Sequence, residues 1–464
     1  MRRTWAAPAE RPLMTSALET YLSRTAESRR LHERARRVMP GGDTRTSAYW
    51  APYPVFVERG EGCRLWDADG HPYVDFVNNY TSLILGHAHP AVLEAVTREL
   101  ARGTAYAAPL VPQIALAEML VERVPSLETV RFCNSGTEAT LFALRAARAL
   151  TGRPRFIKIE GGFHGTHDAV EVSVSPDLAS AGPAGDPRPV PDSAGLPPHV
   201  ADDVVIVPFN DVAAAERAFA RHPGEIGALI VEPVPGGLSY IPPAPGYLAG
   251  LREVTRKNGA LLIFDEIQTL RLSRGGAQEL FRVTPDLTAM GKIIGGGFPV
   301  GAFGGRRDVM DLFDPNRPGH LHHSGTFNGN RATMVAGQAV LKILDQPQID
   351  RLNALGDRLR AGLSETVRAS GIRAQVTGVG SFSSVLLTDK PVTDYRSKAA
   401  IPAALQSLLH LHLLNRGVYS MSRGAFSLCA PMTDAEIEAC AGAVGDALRE
   451  MRPDVERQAP HLLA

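Results

Sequence analysis

Leu261-Leu262-Ile263-Phe264-Asp265-Glu266 is the stretch on which the fold turns: four apolar residues in a row, then two acids. A short unbroken apolar run bounded by polar residues marks a strand buried on both faces, as in a parallel sheet covered by helices. In open α/β sheets, ligands bind outside the carboxyl ends of the strands, which is where Asp265 and Glu266 fall. A strand-end Asp has two readings. It can cap the following turn, or it can face a cationic ligand, without which a buried carboxyl neutralises.

Working outward, similar runs recur at Thr129–Cys133, Arg155–Ile159, Val204–Val207, Ala228–Val231, Ala260–Phe264 and Leu287–Met290, with helical stretches between them. That alternation predicts an α/β fold with a mostly parallel sheet between two helical layers. Upstream, a charged helical stretch over Leu18–Val38 is stopped by Met39-Pro40-Gly41-Gly42. Short strands follow near Val55–Arg59, Cys63–Asp67 and Tyr73–Phe76, with turns at Glu61-Gly62 and Asp69-Gly70, predicting a small antiparallel meander. Residues 175–200, rich in Pro, Gly, Ala and Asp, read as a long loop. Helices are expected at Ala336–Leu344, Ile349–Ser370 and Asp434–Met451, with short strands before the last. The expected organisation is a large domain over 86–335 and a smaller α+β domain built from both termini, 1–85 and 336–464.

The 464 residues carry 49 Lys+Arg against 49 Asp+Glu, so no overall field draws the chain to nucleic acid or an anionic membrane. The first 14 residues have no continuous apolar core and do not read as a secretory signal. No apolar run is long enough to span a bilayer. Cys63, Cys133, Cys429 and Cys440 are scattered, which predicts buried free thiols and a cytoplasmic location.

Several segments offer chemistry. Asn134-Ser135-Gly136-Thr137-Glu138-Ala139 joins a strand to a helix over Glu138–Leu150. A helix start presents free N–H groups and suits a phosphate, although Ser and Thr there are most often N-caps. Met290-Gly291-Lys292-Ile293 invites a phosphate-loop reading that fails, because Ile293 replaces the required Ser or Thr and Asp286 the first Gly. A Lys in a mostly uncharged pocket can instead lose its proton and attack an aldehyde. Phe163, in Gly162-Phe163-His164-Gly165, can stack on a flat ring, and His164 alone reads as a structural histidine. The cluster His320-Leu321-His322-His323 has no Cys or carboxylate at ligand spacing, and no metal site is expected. Arg45 and Arg423 stand in Gly-containing loops and can fork onto carboxylates.

Together these segments resemble the class III aminotransferases, of pyridoxal phosphate (PLP) fold type I. The resemblance runs from about Pro40 to Asp434 through PGGDTRTS, RLWDADGHPYVDF, LGHAHP, NSGTEA, GGFHG, VEPVPG, FDEIQT and MGKIIGGGFPVGAFGG, in the family's order. It implies that Lys292 holds PLP as a Schiff base and that Asp265 faces the pyridine nitrogen. It also implies that Ser135, Gly136 and Thr137 hold the phosphate, that Phe163 and His164 flank the ring, and that Glu232 and Gln268 stand near it. Thr326 matches a segment that crosses a homodimer interface to the partner's phosphate. Amino-acid and keto-acid substrates are implied, with no nucleic acid or membrane partner.

Two branches resemble the chain. Glutamate-1-semialdehyde aminomutase, which transfers an amino group within one molecule, is similar at MGKIIGGGFPVGAFGG and LGHAHP. The β-amino-acid aminotransferases, which act on substrates such as β-phenylalanine, are more similar at Gly41–Arg45, Tyr80-Thr81 and Ser422-Arg423-Gly424. The expectation is an intermolecular aminotransferase with Arg45, Tyr80 and Arg423 on the substrate. The alternatives are the aminomutase and a PLP-fold protein that binds without catalysing.

Overall fold

The computed structural model describes residues 15–464. The stretch read as no secretory signal lies outside the described residues.

The meander forms as expected, as β1 (Val57–Glu61), β2 (Arg64–Asp67) and β3 (Pro72–Asp75). The large sheet follows, with β4 (Thr129–Cys133), β5 (Arg155–Ile159), β6 (Val204–Val207), β7 (Ile226–Val231), β8 (Leu261–Asp265), β9 (Leu287–Gly291) and β10 (Gly301–Gly305). Its order is β4-β10-β9-β8-β7-β5-β6. Six strands run one way; β10 is antiparallel to both neighbours. The domain is therefore α/β, its sheet parallel but for one reversed strand.

The unbroken apolar run in β8 has the expected cause. Leu262 and Phe264 join the core under helices Val212–Arg221 and Tyr247–Lys257. Leu261 and Ile263 face the opposite core, under helix Gly136–Thr151. Each face buries its side chains fully, at about 1.5–3 kcal/mol per large side chain. The helix Gly136–Thr151 turns Ala139, Ala143, Ala146 and Ala147 inward, so it sits close to the sheet.

The expected single helix at Leu18–Val38 is instead two, Ser16–Arg24 and Ala26–Ala35. Thr25 separates them, its hydroxyl donating back to the Tyr21 carbonyl. Residues 175–200 hold no strand or α-helix, and the loop is tied down. The Val174 and Ser175 amides donate to the Asp192 carboxylate at 2.6 and 2.8 Å.

At the other end of the chain lie β11 (Gln375–Thr377), β12 (Phe382–Leu386), β13 (Val418–Tyr419) and β14 (Ala425–Ser427). β13 pairs in parallel with β3, so the C-terminal third completes the N-terminal meander. Helices Gln346–Ser370 and Asp434–Gln458 pack together. A further helix, Ala403–Asn415, is absent from the sequence reading; its residues are apolar on nearly every side and show no helical period. No helix among the described residues is long and apolar enough to cross a membrane.

Candidate active site

Parallel strands bring their carboxyl ends to one edge. β9 delivers Lys292, β8 ends in Asp265, β7 delivers Glu232, and β5 leads through Glu160 to Phe163. β10 enters from the same edge because it is reversed, and places Val300 there. A cavity of about 170 Å³ opens at this edge. Gly136, Thr137, Phe163, Glu232, Asp265, Gln268 and Lys292 line it, joined by Gly165, Ile267 and Val300.

Lys292 begins a tight turn directly after β9, with φ of +51°, a left-handed conformation unusual for a side-chain-bearing residue. Burial lowers its pKa, Arg423 lowers it further, and Asp265 and Glu232 oppose the shift. The net effect favours a neutral, nucleophilic amine.

Asp265 is buried, and its Oδ2 lies 2.8 Å from His164 Nδ1. Its Oδ1 accepts from the Ile267 amide at 3.1 Å. Glu232 accepts from the Phe163 amide at 3.0 Å and the Gly236 amide at 3.1 Å. Burial raises its pKa, and the nearby Asp265 charge adds to the rise. The two acids thus share the edge in different surroundings: Asp265 is hydrogen-bonded to His164, and burial pushes Glu232 toward its neutral form.

Ser135 caps helix Gly136–Thr151, its Oγ accepting from the Glu138 amide at 3.2 Å. The hydroxyl proton stays free to donate to an anion, so the N-cap and phosphate readings are compatible. Gly165 (φ +96°) packs on Thr137, where a Cβ would lie 2.6 Å from the Thr137 Cα. A side chain there would close the phosphate end of the cavity.

Other predicted residues stand elsewhere. His164 is fully buried behind Asp265 and reaches the cavity only through it. Thr326 is exposed and does not line its own chain's cavity. Arg45 and Tyr80 line a neighbouring cavity of about 150 Å³ with Trp50, Tyr419 and Met421. Arg45 Nη1 donates to Asn79 Oδ1 at 2.8 Å, and the Tyr80 hydroxyl donates to the Ser47 carbonyl. Residues 78–81 all have positive φ, 50°, 48°, 53° and 77°. Arg423 points its Nη2 to within 3.2 Å of Met421 Sδ. Tyr240 lines neither cavity but touches one lining residue of each: its hydroxyl lies 3.1 Å from Gln268 Oε1 and 3.7 Å from Met421 Sδ. Ile267 and Val300 lie inside the quoted FDEIQT and MGKIIGGGFPVGAFGG stretches without a role assigned to them, and Tyr240 lies outside every quoted motif. His323 sits among the rings of Phe142, Phe303 and Phe313 and accepts from Arg131 Nε at 3.1 Å.

A short C-terminal helix, Tyr395–Ala399, supports the site from outside. Arg396 forks onto Glu160 at 2.9 and 3.0 Å, and the Glu160 carboxylate is buried. The same guanidinium donates to the Gly182 and Ala181 carbonyls, and the Tyr395 hydroxyl to the Pro176 carbonyl.

The arrangement fits pyridoxal phosphate. A nucleophilic amine, a buried carboxylate for a ring nitrogen, an aromatic face and a helix start for a phosphate converge on one cavity. Lys292, Asp265, Phe163 and Ser135–Thr137 are the residues that would hold it.

The family description for class III aminotransferases matches residues 46–448. A glutamate-1-semialdehyde 2,1-aminomutase from Methanothrix thermoacetophila is 44% identical over 365 residues, 78% of this chain and 82% of the relative. A solved omega-transaminase from Sphaerobacter thermophilus is 48% identical with a TM-score of 0.89, covering 92% of this chain and 98% of the other. A solved β-phenylalanine aminotransferase from Variovorax paradoxus is 38% identical with a TM-score of 0.85, covering 94% and 97%. The chain belongs to the class III aminotransferases and is a PLP-dependent enzyme.

Proposed function

We propose that the protein is an intermolecular aminotransferase, moving an amino group between a carboxylate-bearing amine, such as a β-amino acid, and a keto acid. The observation that carries this reading is the second cavity beside the cofactor site. It offers an apolar and aromatic wall (Trp50, Tyr80, Tyr419, Met421) together with Arg45, held in place by Asn79. Such a space suits a substrate with an apolar side chain and a carboxylate. Arg423 supplies a second cation nearer Lys292.

Bound PLP supplies an electron sink for breaking a bond beside the substrate nitrogen. The protein's part follows from its residues. Asp265, hydrogen-bonded to His164, is the carboxylate that would face the ring nitrogen and favour a proton there. Lys292, whose amine form burial favours, accepts the proton leaving the substrate carbon and returns it one position away. Arg45 and Arg423 orient the carboxylate so that the bond to be broken faces Lys292. Phe163 and Val300 keep water from the reacting atoms.

The active unit in this reading is a homodimer. Leu93, Val111 and Ile114 are exposed apolar residues on helices Pro90–Leu100 and Val111–Arg123, and Phe327 stands exposed beside Thr326. A second copy covering them would bring Thr326 to the partner's phosphate end. The free, buried cysteines support a cytoplasmic location.

A second reading, intramolecular transfer, is favoured by the aminomutase relative. The holoenzyme incubated with α-, β- and ω-amines, with the cofactor's visible absorbance followed and products identified, decides between them. Conversion by β-amino acids with a keto-acid acceptor is expected. Isomerisation of glutamate-1-semialdehyde without an external acceptor overturns the proposal.

A further inference from the structure

Ser239 and Tyr240 both take left-handed backbone conformations, φ +61° and +58°. Such conformations are strained for residues with a side chain and persist only where the surroundings hold them. Tyr240 is held on every side. It is fully buried, and its ring stacks on Phe382 with centroids 4.2 Å apart and planes within 4°. Its hydroxyl lies 3.1 Å from Gln268 Oε1. Met421 Sδ lies 3.7 Å from that hydroxyl and 3.2 Å from Arg423 Nη2, so Tyr240 and Arg423 converge on one sulfur. The Arg423 Nε is buried and has no acceptor among the described residues.

A phenol has one proton and free lone pairs. Gln268 Oε1 takes the proton, which turns the Gln268 NH2 toward Glu232 Oε1, 3.5 Å away. The lone pairs then face the guanidinium side. We propose that Tyr240 is a positioning residue whose hydroxyl couples Arg423, on the substrate side, to Gln268, on the cofactor side. Seating a carboxylate on Arg423 and orienting Gln268 at the cofactor are thereby set together. The inference rests on the reading of Arg423 as a carboxylate clamp.

Tyr240→Phe keeps the ring and its stack and removes only the hydroxyl. In the holoenzyme, KM for a β-amino acid rises about tenfold, as for one lost hydrogen bond, while kcat changes less than twofold. KM for the matching amine without a carboxylate stays unchanged, and the visible absorption maximum of the bound cofactor shifts. Added to Arg423→Met, Tyr240→Phe raises KM no further. Unchanged KM and absorbance in Tyr240→Phe, or full additivity with Arg423→Met, overturns the coupling. If Arg423→Met alone leaves KM unchanged, the clamp reading fails, and the coupling to substrate fails with it. Should Tyr240→Phe not load cofactor, Gln268→Met tests the other end. It must raise the same carboxylate-dependent KM, and a KM equal to the parent's overturns the proposal.

Discussion

His164 Nδ1 lies 2.8 Å from Asp265 Oδ2, with both side chains buried. The other ring nitrogen, Nε2, has no partner among the described residues. The proton therefore belongs on Nδ1, where it is donated to the carboxylate. A charge-assisted hydrogen bond of this kind contributes about 1.5–3 kcal/mol. His164→Phe fills the space without donating, so kcat falls about 10- to 100-fold while the cofactor stays bound. Steady-state kinetics with a cofactor assay checks this; an unchanged kcat would place His164 outside the chemistry.

Lys292→Ala removes the amine that links to the cofactor's aldehyde. Turnover is lost, and borohydride no longer fixes cofactor to the protein. In the parent, burial lowers the Lys292 pKa below its ordinary value. Covalent capture of PLP by the apoprotein thus speeds up as pH rises and levels off short of about pH 10.4, the value of a free lysine. Stopped-flow absorbance across pH gives the profile, and a plateau reached only above that pH contradicts the desolvation argument.

These two residues also show how far the sequence reaches. Lys292 and Asp265 are legible because each follows an apolar run read as a buried strand, and parallel strands share one edge, whereas Glu232 is legible only through the resemblance. β10 is not legible as a strand, because Gly-Ala-Phe-Gly-Gly lacks the β-branched residues of its neighbours. Gly301 is needed there for close approach, since a Cβ would lie 2.0 Å from the Ser135 carbonyl oxygen. Tyr240 is invisible for another reason. Its role depends on Gln268 and Met421, which are 28 and 181 positions away. The sequence pairs Arg45 with Arg423 only by resemblance, and the structure places them by different supports, Asn79 and Met421.

Lys158 in β5 is fully buried and, among the described residues, has only two long contacts to carbonyls, Ser173 at 3.3 Å and Ile159 at 3.4 Å. Burial pushes its pKa down to about 8. The unfolded chain therefore binds a proton between about pH 10.4 and 8 that the folded chain does not. Stability falls as pH drops through that window, and the full penalty is present below pH 8. Lys158→Met removes the penalty, so its melting temperature exceeds the parent's at pH 7, and the gap closes as pH rises toward 10. A lower melting temperature at pH 7 would mean that the ammonium is held better than these distances allow.

Arg396→Met leaves the buried Glu160 carboxylate without its cation. Removing one partner of such a pair costs about 3 kcal/mol. Denaturant unfolding shows the loss, and Glu160→Gln in the same background restores part of it by removing the unpaired charge. Equal stability of Arg396→Met and the parent rules the pair out as a structural tie.

Arg45→Met raises KM for a β-amino acid about tenfold and leaves KM for a carboxylate-free amine unchanged. A uniform effect on both substrates would remove Arg45 from carboxylate recognition.

The tie between Glu160 and Arg396 spans 236 positions. During synthesis Glu160 leaves the ribosome long before its counter-ion exists, and an unpaired carboxylate stays in water rather than entering a core. The segment from Glu160 to Phe163 can seat with its ion pair only once synthesis has passed Arg396. Cofactor capture is therefore a late event in the life of each molecule, and a nascent or truncated chain that ends before Arg396 carries Lys292 in a site that is not yet closed.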